Sequence, residues 1–335
     1  MNLYVSISNL WEDMNPMAKY GTITAATVIS LAVLRKWLAG GVCHSRVRLD
    51  GKTVLITGAN TGIGKVTAQD MAKRGARVVM ACRDLPRAEK AAEELRRSTG
   101  NGNVVVRHLD LASFSSVRQF AQEYIATEDR LDILINNAGV MMCPHSLTVD
   151  GYETQFAVNH LGHFLLTVLL LDKLKTSAPS RVVTVASIAY EGGKIHFDDI
   201  NFANTPYSPL ISYKQSKLAN ILFIRELARR IKGSGVSVYA LHPGVIYTEL
   251  GRHVKTSHPV LTTFLTLPAI LLMKTPKQGA QTSIYCAVTE GLEKYSGSYF
   301  SDCKLKEPEP EGKDDVAAVK LWNMSAQMVG YKGDN

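Results

Sequence analysis

Thr53-Val54-Leu55-Ile56-Thr57-Gly58-Ala59-Asn60-Thr61-Gly62-Ile63-Gly64 runs a continuous apolar stretch into a turn with three glycines, and a helix-forming stretch follows from Lys65. Such a run reads as a strand buried on both faces. Three glycines at a strand-to-helix turn permit tight backbone geometry and let a helix N-terminus approach a pyrophosphate. Lying in the first strand-turn-helix unit, the turn predicts a dinucleotide site built from Gly58, Asn60, Thr61, Gly62, Ile63 and Gly64.

Downstream the same pattern repeats. Apolar runs at Arg77 to Cys82, Val104 to Leu109, Ile133 to Asn136, Arg181 to Ser187, Val236 to His242 and Ser298 to Phe300 alternate with amphipathic stretches at Ala88 to Arg97, Ser115 to Ile125, Glu153 to Lys173 and Tyr213 to Ile231. The alternation predicts an α/β fold, a Rossmann-like doubly wound parallel sheet of about seven strands with helices on both faces. One catalytic domain over 51–305 follows an N-terminal segment, 1–50, and precedes a C-terminal loop and helix, 306–335. The Pro/Glu cluster Glu307 to Glu311 reads as the loop, and Asp314 to Met328 as the helix.

The chain has 335 residues, 46% of them hydrophobic, and a net charge of +8, so it has ample material for a packed core. Lys and Arg are scattered, which reads as solvated surface, and no motif supports nucleic-acid binding. Five dispersed cysteines without a C-x-x-C pair argue against a disulfide scaffold or structural zinc, and for a reducing compartment.

Gly21 to Leu34 is an apolar run of 14 residues, and counting from Met17 gives 18, flanked by Lys19 and by Arg35, Lys36, Arg46 and Arg48. A bilayer span takes about 20 residues. Glu12 and Asp13 before the run disfavour a cleaved signal or a mitochondrial presequence. The segment is expected to be a retained membrane anchor at about 17–38 with a basic linker behind it, and an amphipathic or buried helix is the alternative. The positive-inside rule then places the remainder in the cytosol.

The second strand ends at Cys82-Arg83-Asp84. An acidic residue there would select NAD through the ribose hydroxyls, whereas an Arg pairs with the extra phosphate of NADP. Arg83 therefore predicts NADP(H), with Lys65 as a second cation and Asp84 as the rival ribose ligand.

A Tyr near a cation can act as general acid, and a Lys four residues on along a helix supplies one. Tyr213 and Lys217 have this spacing; so do Tyr190 and Lys194, but Gly192-Gly193 interrupts that pair. Asn137, Ala138 and Gly139 after the fourth strand, Asn159, Ser187 after the fifth strand, and Pro243, Gly244 and Thr248 after the sixth complete a set at the carboxyl ends of strands.

In this order, TGANTGIG, NNAG, Asn159, Ser187, YKQSK and HPG resemble the short-chain dehydrogenase/reductase superfamily over residues 51 to about 305. GKTVLITGANTGIGK, ACRD, ILINNAGVMMCPH, VNHLGHFLLT and LHPGV, with the N-terminal anchor, are similar to the microsomal retinol dehydrogenase and retinal reductase group. The resemblance implies Tyr213 as proton donor or acceptor, Ser187 holding the substrate oxygen, Lys217 lowering the Tyr213 pKa and binding the nicotinamide ribose, and Asn159 anchoring a proton path. It implies Asp110 and Leu111 at the cofactor as well. Two departures bear on substrate range: Ala186 precedes Ser187 where relatives carry Ser, and Tyr190 stands where they carry His. His160 and His163 have metal-like spacing without an accompanying acid or thiol, and no metal is assigned.

The implied activity is hydride transfer from NADPH to a long apolar carbonyl, all-trans-retinal reduction to retinol being favoured. Other apolar carbonyls such as lipid aldehydes and steroids, and a non-catalytic NADP-binding membrane protein, are the alternatives. Val260 to Met273, broken by Pro268, lies where the superfamily places a substrate lid, with core packing or a second membrane contact as its other reading. Met141 and Met142 are expected to line the substrate site. The resemblance places the anchor in the endoplasmic reticulum membrane with the catalytic domain cytosolic, the mitochondrial inner membrane being the alternative, and it allows a homodimer.

Overall fold

The computed structural model describes residues 11–12, 14–246 and 273–333. Helix α1 (Pro16–Leu38) leads into an extended linker, and the sheet begins with β1 (Thr53–Thr57). There follow α2 (Gly62–Lys73), β2 (Arg77–Cys82), α3 (Leu85–Thr99), β3 (Val104–His108), α4 (Phe114–Thr127) and β4 (Ile133–Asn136). A single helical turn at Thr154–Phe156 and a π-helical turn at Ala157–Leu161 precede α5 (Gly162–Leu169), α6 (Leu171–Thr176) and β5 (Ser180–Val185). The chain continues through α7 (Pro209–Arg230), β6 (Val236–His242), α8 (Pro276–Val288), β7 (Tyr299–Ser301), β8 (Lys304–Lys306) and α9 (Asp315–Met328).

The strands form one eight-stranded sheet in the order β3-β2-β1-β4-β5-β6-β7-β8. All pairings are parallel except the last, a three-residue edge strand antiparallel to β7. That eighth strand, Lys-Leu-Lys, lies beyond the expected seven because it carries no apolar run, as suits an edge that must not recruit another chain. Every residue of β1, β4 and β6 is buried, which explains their unbroken apolar sequences. Apolar cores fill both faces. One gathers α4, α5, α7 and α9, and the other α2, α3 and α8.

Helix α9 is part of that core, with Ala318, Leu321 and Trp322 buried against α7. The single amphipathic helix expected over Glu153 to Lys173 is instead interrupted by the π turn and buried on nearly all sides. Helix α7 starts four residues before Tyr213, where Ser208 accepts the Ile211 N–H and Pro209 opens the first turn.

Asn15 caps α1 by accepting the Ala18 N–H, Arg35 and Lys36 occupy its last turn, and none of its residues is buried. At 23 residues it is long and apolar enough to cross a bilayer. Its C-terminal end is fastened to the domain. Arg35 Nη1 donates to the Met273 carbonyl at 2.8 Å, and the Cys43 N–H donates to Gln281 Oε1 at 3.0 Å.

Candidate active site and dinucleotide cleft

Order reverses between β1 and β4, and the turns that leave these two strands meet there. A Cβ on Gly58, which sits at φ +64°, would fall 2.9 Å from Ala138 Cβ. A Cβ on Gly64 would fall 2.4 Å from the Gly58 carbonyl oxygen. The close approach of the two turns at the start of α2 therefore exists only because these side chains are absent, and the turns border a cleft. Gly58, Asn60, Thr61, Gly62, Ile63, Gly64, Arg83, Asp110, Leu111, Asn137, Ala138 and Gly139, all expected from the sequence, line it. An open cradle at a helix N-terminus, with cationic Arg83 on the rim, fits a dinucleotide pyrophosphate.

At the end of β2, Cys82 is buried and Arg83 exposed. The Asp84 carboxylate accepts the Arg87 N–H at 3.0 Å and so caps α3. Lys65, expected as a second cation, pairs with Glu94 of α3 and is not among the residues lining the cleft. Arg87 does line it, a contribution the sequence reading missed. Its signal was the four-residue spacing from Arg83 in the first turn of a helix.

The second half of the site is made of buried polar groups. Tyr213 and Lys217, 5% and 3% exposed, stand one turn apart on α7. The Lys217 ammonium lies 5.6 Å from the Tyr213 ring centroid and donates to the Val185 carbonyl at 3.1 Å. Burial pushes Lys217 down to about 8. It pushes Tyr213 up to about 12, with the Ser187 hydroxyl opposing that shift. Desolvation of the phenolate is thus the largest influence on Tyr213.

Ser187 lies two residues beyond the end of β5, where its Oγ accepts the Ala189 N–H at 3.2 Å. His242, read from sequence only as part of a turn, holds that loop by accepting the Ile188 N–H at Nδ1, 3.0 Å away. Pro243 and Gly244 follow β6, with Gly244 at φ +97° against Lys274. Asn159 sits in the π turn, completely buried. Its Oδ1 accepts the Val140 N–H at 2.8 Å, and its Nδ2 donates to the Val140 carbonyl and to Ser216 Oγ, both at 2.9 Å. Asn159 thus ties the loop after β4 to the helix that carries Tyr213.

Tyr190 and Lys194 behave as the glycines between them predicted. Tyr190 is buried with its hydroxyl accepting the Glu309 N–H, whereas Lys194 is exposed. Met141 and Met142, expected at the substrate site, are half-buried and follow Val140 of the dinucleotide cleft, and the Met142 N–H donates to Gln155 Oε1 at 2.8 Å. Thr248 lies outside the described residues, as does the stretch Val260 to Met273 apart from Met273 itself.

A parallel sheet with a glycine cradle at its order reversal and a Tyr-Lys pair facing a Ser defines a dinucleotide-dependent oxidoreductase. Residues 52–258 match the family model described as short chain dehydrogenase, and the chain belongs to that family. Within it the chain falls with the retinol dehydrogenases. It is 51% identical to retinol dehydrogenase 13 of Homo sapiens over 95% of both chains, and 54% identical to retinol dehydrogenase 12 of Homo sapiens over 89% of this chain and 93% of that one. Among solved structures, a protein from Mycobacterium Paratuberculosis is 38% identical at a TM-score of 0.70, covering 87% of this chain and 98% of its own. The Pseudomonas aeruginosa RhlG/NADP active-site complex is 27% identical at a TM-score of 0.60, covering 76% and 95%.

Proposed function

We propose that this protein is an NADP(H)-dependent oxidoreductase interconverting retinal and retinol, with all-trans-retinal reduction as the favoured direction. The observation that carries the reading is the Tyr213 hydroxyl beside that of Ser187, with Lys217 one turn further along α7, in a chain whose relatives are retinol dehydrogenases.

Gly58 to Gly64 and Asn137 to Gly139 would hold the dinucleotide, which when bound supplies the hydride. Ser187 and Tyr213 donate hydrogen bonds to the carbonyl oxygen, and Tyr213 gives it the proton. Lys217, still cationic at pH 7, stabilises the phenolate left behind. Asn159 keeps Val140 and Ser216 in register so that these groups converge. One observation supports NADP: Arg83 is exposed at the cleft rim with Arg87 beside it, while Asp84, the rival ribose ligand, lines the same cleft and caps α3 through one oxygen. The solved RhlG complex, which holds NADP in its active site, supports the same choice.

Helix α1 anchors the protein in this reading, with the catalytic domain on the cytosolic face of the endoplasmic reticulum. The test is product formation from all-trans-retinal by detergent-solubilised full-length protein, with NADPH and NADH at equal concentration. NADPH-selective retinol formation is the expected result. Cofactor binding without retinol formation would discard the retinoid and direct the search to other apolar carbonyls.

A further inference from the structure

His163 is completely buried on α5 and takes no part in the chemistry above. Its Nδ1 lies 3.1 Å from the Asn159 main-chain carbonyl, and its Nε2 lies 2.8 Å from Thr57 Oγ at the end of β1. A carbonyl oxygen only accepts, so Nδ1 carries the proton and Nε2 is the acceptor of the neutral ring. Thr57 agrees with this assignment. Its oxygen already accepts two N–H groups, from Asn137 at 2.9 Å and Ala138 at 3.0 Å, and of the two acceptors within reach of its own proton, Nε2 at 2.8 Å is much nearer than the Ile135 carbonyl at 3.5 Å. The opposite tautomer would set two acceptors against each other at Asn159, and a doubly protonated ring is disfavoured by burial and by Lys217, which hold His163 down to about 4. His160 is the other titratable group facing it, and burial keeps that ring neutral too.

These bonds close a ring. Thr57 holds Asn137 and Ala138, Gly139 and Val140 follow directly, Val140 is clamped by the Asn159 side chain, and His163 returns the Asn159 main chain to Thr57. Gly139 lies inside it: a Cβ there would fall 3.2 Å from Asn159 Oδ1 and 3.6 Å from Lys217 Nζ. Among the described residues, the other links between the β4 turn and this helical region are Val140 to Asn159 and, flanking it, Met142 to Gln155 and Asn136 to Thr167. Both carry parts of the proposed site. The turn forms one wall of the cofactor cleft, and the π turn, through Asn159 and Ser216, sets the helix that carries Tyr213.

We propose that His163 is a positioning residue for the oxidoreduction, a neutral Nδ1–H imidazole that locks the cofactor wall at Asn137 to Val140 to the Asn159 π turn and so sets the distance between cofactor and Tyr213. The inference rests on the reaction assigned under the proposed function, but not on the identity of the carbonyl.

The test uses the full-length protein in detergent with whichever apolar carbonyl the wild type reduces, so that a wild type inactive on retinal refutes the retinoid and leaves this inference standing. Substituting His163→Phe removes both bonds, and His163→Asn keeps a donor for the Asn159 carbonyl while giving up Thr57. In His163→Phe, kcat should fall by about 10- to 100-fold, the scale of a sub-ångström to ångström misplacement of reacting groups. KM and the dissociation constant for NADPH, read by its fluorescence, should change less than threefold. His163→Asn should recover part of the lost kcat. Nitrogen-15 spectra of labelled histidine should show a ring protonated at Nδ1 alone in the protein without cofactor. A ring protonated at Nε2, or a His163→Phe variant with kcat within twofold of wild type, would overturn the proposal. Loss of kcat and NADPH affinity in equal measure would do so as well, since that marks general loosening. Where His163→Phe does not fold, Thr57→Ser against Thr57→Val gives the same comparison, because Ser retains the hydroxyl. Equal kcat in those two variants would then count against the ring.

Discussion

The two halves of the site are built by opposite means. At the glycine turn, function comes from what is missing: the turns after β1 and β4 approach closely because Gly58 and Gly64 carry no Cβ, and the glycines themselves are close in sequence. At Tyr213, Lys217, Ser187 and Asn159 it comes from polar groups gathered out of three separate segments, with Tyr213, Lys217 and Asn159 buried at a cost. The first half adds no unpaired charge to the interior. The second keeps an ammonium whose only hydrogen-bonded acceptor among the described residues is the Val185 carbonyl. Catalytic power and stability should therefore separate in the second half and move together in the first.

The largest expected effect lies at Tyr213. Tyr213→Phe should lower turnover by about 100- to 10,000-fold, the range for losing a general acid, with dinucleotide affinity and melting temperature nearly unchanged. A variant that keeps a tenth of wild-type turnover would remove Tyr213 from the chemistry. Gly64→Ala should behave differently, costing both properties at once. The new methyl meets the Gly58 carbonyl at 2.4 Å, so about 1–3 kcal/mol of stability should go together with dinucleotide affinity. Unfolding curves and a cofactor titration check this, and a fall in only one of the two would break the contrast.

Lys217→Met sharpens it from the other side. The Lys217 pKa is depressed from 10.5 to about 8, so between those pH values the unfolded chain binds the extra proton and wild-type stability rises with pH. Below pH 8 the full desolvation cost is present. The methionine variant should thus be more stable than wild type by about 1–3 kcal/mol at pH 7, an advantage that closes as pH approaches 10.5, while turnover is lost. Denaturant midpoints at pH 7 and pH 10 measure it, and a variant less stable at pH 7 would show that the Val185 bond outweighs burial. The smallest effect belongs to exposed Arg83. Arg83→Ala should reduce the NADPH/NADH preference by about tenfold, ~1.4 kcal/mol, with stability untouched. An unchanged ratio would move phosphate recognition elsewhere on the cleft rim.

How far the sequence could be read follows the same division. TVLIT, RVVMAC, ILIN and VSVYALH coincide with β1, β2, β4 and β6 residue for residue, because a strand buried on both faces must be apolar without interruption and each run is bounded by turn residues. The cleft lining from Gly58 to Gly64 followed from local spacing in the same way. Strand β8 escaped because edge strands avoid apolar runs, and the π turn escaped because Glu153 to Lys173 has helical periodicity throughout. The extra residue in that turn is accommodated by packing: a Cβ on Gly162 would meet the Leu111 carbonyl at 2.6 Å, a close approach no periodicity records.

What the sequence by itself determined was the order of elements, the glycine cradle, and which Tyr-Lys pair can share a helix face, since Gly192-Gly193 disqualifies the other. These depend on interactions over a few residues. The protonation of the site was decided only by the tertiary structure. Spacing alone placed Lys217 beside Tyr213, whereas the burial that disfavours the charged form of each depends on everything packed around a side chain and not on its neighbour along the helix. The link from Thr57 through His163 to Asn159 belongs to the same class. Its partners are 106 and 4 residues away along the chain, and only the packing of α5 beneath β1 makes them one network.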